Sequence, residues 1–143
     1  LAEYDGDFYA WTVQTAQKLR SGELDQVDLA QVAEEIEDIG KSDRRALESH
    51  LKILMLHLLK WDHQPSHRGV SWRLPIANAR DEIAAILRDS PSLRPRLDEL
   101  AASRYPGARK QAILETGLAP SSFPETCPFS VEQLLEEDKF PNT

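Results

Sequence analysis

From Leu51 to Leu59 the chain reads Leu-Lys-Ile-Leu-Met-Leu-His-Leu-Leu, apolar nearly all round when wound as a helix. A helix of that kind has no face to offer water, so other elements must cover it on every side. The surrounding pattern extends it to a long helix from about Ser42 to Trp61, expected to be the central, buried one. The longest uninterrupted apolar run, Ile53-Leu54-Met55-Leu56, is far short of a bilayer span, and no membrane association is expected. With 143 residues, 41% hydrophobic and 29% charged, the chain can bury a core and does not have the composition of a disordered tail.

The punctuation around this helix is also helical. Asp5 or Asp7 can cap a first helix whose stripe is Phe8, Trp11, Thr15 and Leu19, with Gly22 as its stop. Asp28 with Gln31 resembles a capping box and opens a second helix, with a stripe of Leu29, Val32, Ala33, Ile36 and Ile39 interrupted at Gly40. After a loop from Asp62 to Ser71, Pro75 fits the first turn of a helix reaching about Asp89. Ser90-Pro91 opens the next, carrying Leu93, Leu97 and Leu100, and Pro106-Gly107 breaks or kinks it before a further helix ending at Gly117. Residues 118–128 hold three prolines and read as an irregular strap. Ser130 with Gln133 then caps a short final helix around Val131–Glu137. No segment alternates at period two with strand formers. The expectation is an all-α single domain over residues 1–143, six or seven helices around the buried helix at about 42–61.

Several segments stand in a familiar order. Tyr4-Asp5-Gly6-Asp7-Phe8-Tyr9-Ala10-Trp11 opens the chain, and Ala33-Glu34-Glu35-Ile36-Glu37-Asp38-Ile39-Gly40 follows. Then come His57-Leu58-Leu59-Lys60-Trp61, Gln64-Pro65, Ser71-Trp72-Arg73, Pro91-Ser92-Leu93 and Phe123-Pro124-Glu125-Thr126-Cys127-Pro128. Together they resemble the bacterial domain-of-unknown-function 29 family, over almost the whole chain. The resemblance implies an all-helical domain found in bacteria, with no established activity, ligand or catalytic residue to carry over. Pro106-Gly107 departs from the uninterrupted helix expected there.

Charge is unevenly distributed. Residues 1–40 carry a net −8, residues 41–110 a net +6 and residues 111–143 a net −5, for −7 in all. The sign of the whole argues against a general nucleic-acid binder, while the basic middle keeps nucleic acid as an alternative partner. The simpler reading has acidic arms neutralising a basic centre. The lone Cys127 excludes a disulfide framework and a cysteine zinc cage, and with no signal peptide visible a cytoplasmic protein is expected.

Candidate chemistry is sparse. The four histidines, His50, His57, His63 and His67, cluster, but none has ligand spacing on an unbroken helix, so no metal and no cofactor is expected. Arg45 and His50 have a spacing similar to that of helical ribonucleases, without support elsewhere in the chain. Cys127 has no base or cation beside it and reads as a small hydrophobe pinning the strap. The sharper arrangement is electrostatic. Arg80 falls within the apolar stripe of Ile76, Ile83 and Leu87, with Arg73 near the same line. Glu35 and Glu37 border the stripe of the second helix, and His57 flanks the Leu54, Leu58 and Trp61 face. One reading is a buried network in which Arg80 meets Glu35 or Glu37 and His57 caps a carbonyl. The other is a cleft where Arg73 and Arg80 hold an anion while His57 and a glutamate move a proton. With no catalytic signature, the leading functional expectation is a module that binds a protein partner or a copy of itself, using aromatics such as Tyr4, Tyr9 and Trp72.

Overall fold

The computed structural model describes residues 6–136, and these hold five α-helices and no strand. They are α1 (Phe8–Arg20), α2 (Leu29–His63), α3 (Val70–Asp89), α4 (Leu97–Thr116) and α5 (Val131–Leu135), with short 3-10 turns between them. The sequence reads as one domain; the chain divides into two compact units, residues 1–42 and 43–143. Tyr4 and Asp5 lie outside the described residues.

In the first unit, Asp7 caps α1 by accepting from the Ala10 amide at 3.0 Å. Past the end of α1 at Arg20, Gly22 takes a positive φ of 79°, a backbone conformation that a side chain would strain. Asp28 accepts from the Gln31 amide at 3.1 Å, one half of the expected capping box. The other half is missing because the Gln31 side chain turns forward to Glu35 at 3.2 Å.

The expected six or seven helices become five for two reasons. Gly40 does not interrupt α2, which runs unbroken over 35 residues. A lone helical glycine costs only about 1 kcal/mol relative to alanine, too little to stop a helix continued on both sides. Pro106-Gly107 likewise fails to break α4, which is continuous from Leu97 to Thr116. The Lys52 side chain passes close to Gly107, where an added Cβ would meet its Cε at 3.4 Å. Two helix starts also move. Helix α3 begins at Val70, five residues before Pro75, with the Gly69 carbonyl accepting from Trp72 and Arg73. Pro91 opens a 3-10 segment, Pro91–Arg96, that delays α4 to Leu97; Pro95 inside it lacks a donor for an α-helical turn.

The second unit holds the core. The stretch of α2 from Leu47 to Trp61 contributes eight of its members, among them Leu51, Leu54, Leu58 and Leu59 with no exposed surface. Ile76, Ile83 and Leu87 come from α3, and Leu97, Leu100, Tyr105 and Ala108 from α4. The strap is irregular as expected and is held by its backbone. The Tyr105 hydroxyl donates to the Pro124 carbonyl at 2.6 Å, and Arg109 donates to the Pro120 carbonyl at 2.7 Å. Phe123 is buried in the core, and half-buried Cys127 packs with Phe129 against it. Burial raises the Cys127 thiol's pKa, which suits a packing role and not a nucleophile. Ser130 and Gln133 form both halves of the capping box on α5.

Burial pushes the Tyr105 phenol up to about 12 from its ordinary 10. A folded pKa above the unfolded one gives stability that is full below pH 10 and lost as pH rises toward 12. Tyr105→Phe is expected to lower stability by about 1 kcal/mol at neutral pH, through the lost hydrogen bond. It should also remove this residue's share of the alkaline decline. Urea unfolding at a series of pH values between neutral and alkaline measures both.

Candidate functional site

The five residues singled out for a polar site fall in both units. Glu35 and Glu37 belong to the first. Glu35 is half-buried and accepts from Gln31, whereas Glu37 is exposed on α2. His57, Arg73 and Arg80 belong to the second, where each is held by a different group. His57 Nδ1 bonds the Ile53 carbonyl at 2.8 Å, one turn back on its own helix. Burial lowers its pKa, so the neutral ring is favoured. Arg73 is exposed and lays its guanidinium 4.7 Å from the Trp61 ring centroid, with Arg68 at 5.2 Å from the same ring. Arg73 and Arg80 do share a line of α3, seven residues apart, which separates them by about 10 Å along the axis.

Arg80 is only 3% exposed. Its Nε donates to the Leu134 carbonyl at 3.0 Å and an Nη to the Gln133 carbonyl at 2.6 Å. These are carbonyls of the last turn of α5, the end of a helix where acceptors lack intrahelical donors and a cation is favoured. A guanidinium in an apolar stripe is thus supplied with acceptors by the last described helix. The last carbonyls of a helix lack the intrahelical donors that its earlier ones have, which suits them to receive these N–H groups.

Other charged groups of the basic middle are also engaged within the second unit. Arg104 donates to buried Glu48 at 2.7 Å, with Arg44 at 3.5 Å from the same carboxylate. Lys60, nearly buried, reaches Glu115 at 2.9 Å and lies 5.4 Å from the Trp72 ring. Arg96 pairs with Glu99 at 2.6 Å, and Arg68 donates to the Trp61 carbonyl at 2.7 Å. His63 bonds the Leu59 carbonyl and packs its ring on Phe123. Among the described residues no three His, Cys, Asp or Glu side chains are placed to hold a metal ion. Nor is any helix there long and apolar enough to cross a membrane. Arg45 and His50 are five residues apart on α2, about 140° around the helix, so they do not share a face.

The first unit differs in kind. Trp11 is its one buried apolar residue among those described, stacked on Phe8 with ring centroids 5.8 Å apart. Eight large apolar side chains there are exposed, against four in the much larger second unit. Ile36 and Ile39, read from the sequence as part of a core-facing stripe, stand 63% and 65% exposed, and Phe8 is 50% exposed. They border a groove of about 490 Å³. Phe8, Trp11, Thr15, Ala16 and Leu19 line it from α1, and Val32, Glu35, Ile36 and Ile39 from α2. The two stripes were legible as periodicity; that Phe8, Ile36 and Ile39 stand mostly exposed was not. The available signal was a tally, since 42 residues with two amphipathic helices cannot bury both stripes.

A family model described as a domain of unknown function, DUF29, matches residues 3–140, and the chain belongs to that family. No curated protein and no solved structure matches the chain significantly.

Two predictions follow from the charged groups. Arg80→Ala leaves the α5 carbonyls without their buried donors and should cost about 3 kcal/mol, read as a shift in the urea midpoint. Hydrogen bonds from Arg104 hold Glu48 below the ordinary carboxylate value of 4.5, and Lys60 does the same for Glu115. Depressed folded pKa values give stability that is present above pH 4.5 and lost as pH falls through them. Glu48→Gln should therefore unfold with a shallower dependence on acid than the parent, measured as urea midpoints from neutral pH downward.

Proposed function

We propose that this chain is a non-catalytic helical interaction module. Its second unit supplies a stable body built around α2, and its first unit presents an apolar groove to a protein partner. The observation that carries this reading is the groove between the α1 and α2 stripes, with Ile36 and Ile39 mostly exposed at its edge. Exposed contiguous apolar surface is costly to keep and marks an interaction site more often than not. A groove between two helices is also a common seat for an apolar helix face. The second unit supports the reading from the other side. His57, Arg73 and Arg80 are each engaged by carbonyls or a ring of that unit. The cations described above as paired to carboxylates and carbonyls are unsuited to form a phosphate footprint.

An apolar docking face and a misread piece of core respond oppositely to the same change. In the Ile36→Ser/Ile39→Ser double variant, stability should change by less than about 1 kcal/mol, because both side chains are mostly exposed already. Binding of Nile red, a neutral apolar dye, should fall several-fold in that variant. Leu114→Ser, at an exposed position of the second unit, should leave the dye signal unchanged. A large fall in melting temperature with the double variant, or undiminished dye binding, would overturn the reading.

A further inference from the structure

Among the described residues, the groove has one ionisable lining residue, and it is a carboxylate. Glu35 sits among Phe8, Trp11, Val32, Ile36 and Ile39 and is half-buried there. The unit around it is strongly acidic. Its residues 1–42 carry ten acids against Lys18, Arg20 and Lys41, a net of −7. At physiological ionic strength charges act over about 8 Å, so carboxylates on the same two helices contribute to the potential in the groove.

We propose that the groove takes a cationic amphipathic helix of a protein partner, its apolar stripe on the groove floor and a lysine or arginine against Glu35. The proposal rests on the docking reading above and adds the chemistry of the partner. The dimensions fit. From Phe8 to Leu19 the lining runs about 16 Å along α1, the length of about three helical turns, enough for apolar anchors at i, i+3 or i+4 and i+7. Charge selects among occupants. A second copy of this unit would pair two apolar faces but bring one net charge of −7 against another. An anionic lipid surface and a nucleic acid are repelled by the same field. The exposed large apolar residues described in the second unit, Ile53, Val70, Leu74 and Leu114, are scattered over three helices and form no basic apolar stripe among the described residues. Glu35 accepts from the Gln31 side chain at 3.2 Å, one turn back on α2.

The test uses the full chain and three synthetic peptides of about 14 residues. One is a leucine–lysine helix with leucines at i, i+3, i+4 and i+7. The second replaces each lysine with glutamate, and the third scrambles the first so that its leucines form no stripe. Calorimetric titration should give binding of the cationic amphipathic peptide at least about tenfold tighter than of either control. Glu35→Gln should weaken that binding about threefold, and raising the salt concentration should weaken it further. Ile36→Ser/Ile39→Ser should abolish it. Equal binding of the anionic peptide, or of the scrambled one, overturns the partner class while the dye experiment above still stands. Light scattering that shows a dimer lost in Ile36→Asp assigns the groove to a second copy and overturns the proposal as well. If neither amphipathic peptide binds and the double variant loses no dye, the docking reading itself falls.

Discussion

The fold of the second unit follows from one constraint: the part of α2 between Leu47 and Trp61 is apolar around most of its circumference and leaves only a narrow strip at Ser49 and Ile53 to water. The rest of it has to be covered. Helix α3 covers it with Ile76, Ile83 and Leu87, and α4 with Leu97, Leu100, Tyr105 and Ala108. The remainder falls to pieces that have little secondary structure of their own. Phe123 from the strap and Leu134 from α5 join the same core. Neither a proline-rich strap nor a five-residue helix would hold its shape alone, because isolated short helices are marginal in water. They are fixed by side chains of the helices they cover: Tyr105 and Arg109 grip strap carbonyls, and Arg80 grips the end of α5.

Arg80 shows how a residue that looks wrong by pattern can be right by packing. Within an apolar stripe an arginine is expensive unless its donors are met. A last turn of helix supplies acceptors at no cost in additional charge, since its carbonyls have no donors of their own. The arginine thereby becomes the attachment point for the chain's last described helix, and a leucine at the same position would pack but leave those carbonyls unserved. That exchange explains why the residue belongs in the stripe.

What could be read from the sequence follows the range over which each signal acts. Local signals were clear: the Asp7 and Asp28 caps, the Gly117 stop and the Ser130 capping box act within one turn. The order of short motifs along the chain was enough to place it in its family, and the matched range of residues 3–140 bears this out. Breakers were overrated. Gly40 and Pro106 each weaken a helix by a finite amount, and flanking turns that are well formed outweigh it. Partners distant in sequence were not legible, since nothing near Arg80 announces carbonyls more than fifty residues away, and nothing near Glu48 announces Arg104.

The first unit is where pattern and packing part company most usefully. Periodicity says that Ile36 and Ile39 belong on an apolar face, and they do; it cannot say whether that face is covered. In the second unit an apolar face is matched by helices, strap and core, so the same pattern means burial. In the first, α1 is the one full partner helix among the described residues, and it leaves most of Ile36 and Ile39 in the open. A stripe of this kind kept beside a half-buried glutamate, in a unit carrying a net charge of −7, is not what stability alone would select. Replacing Ile36 and Ile39 with polar residues would remove exposed apolar area at almost no cost to folding. That such cheap substitutions are not the ones present is the physical reason to look for the groove's role in binding.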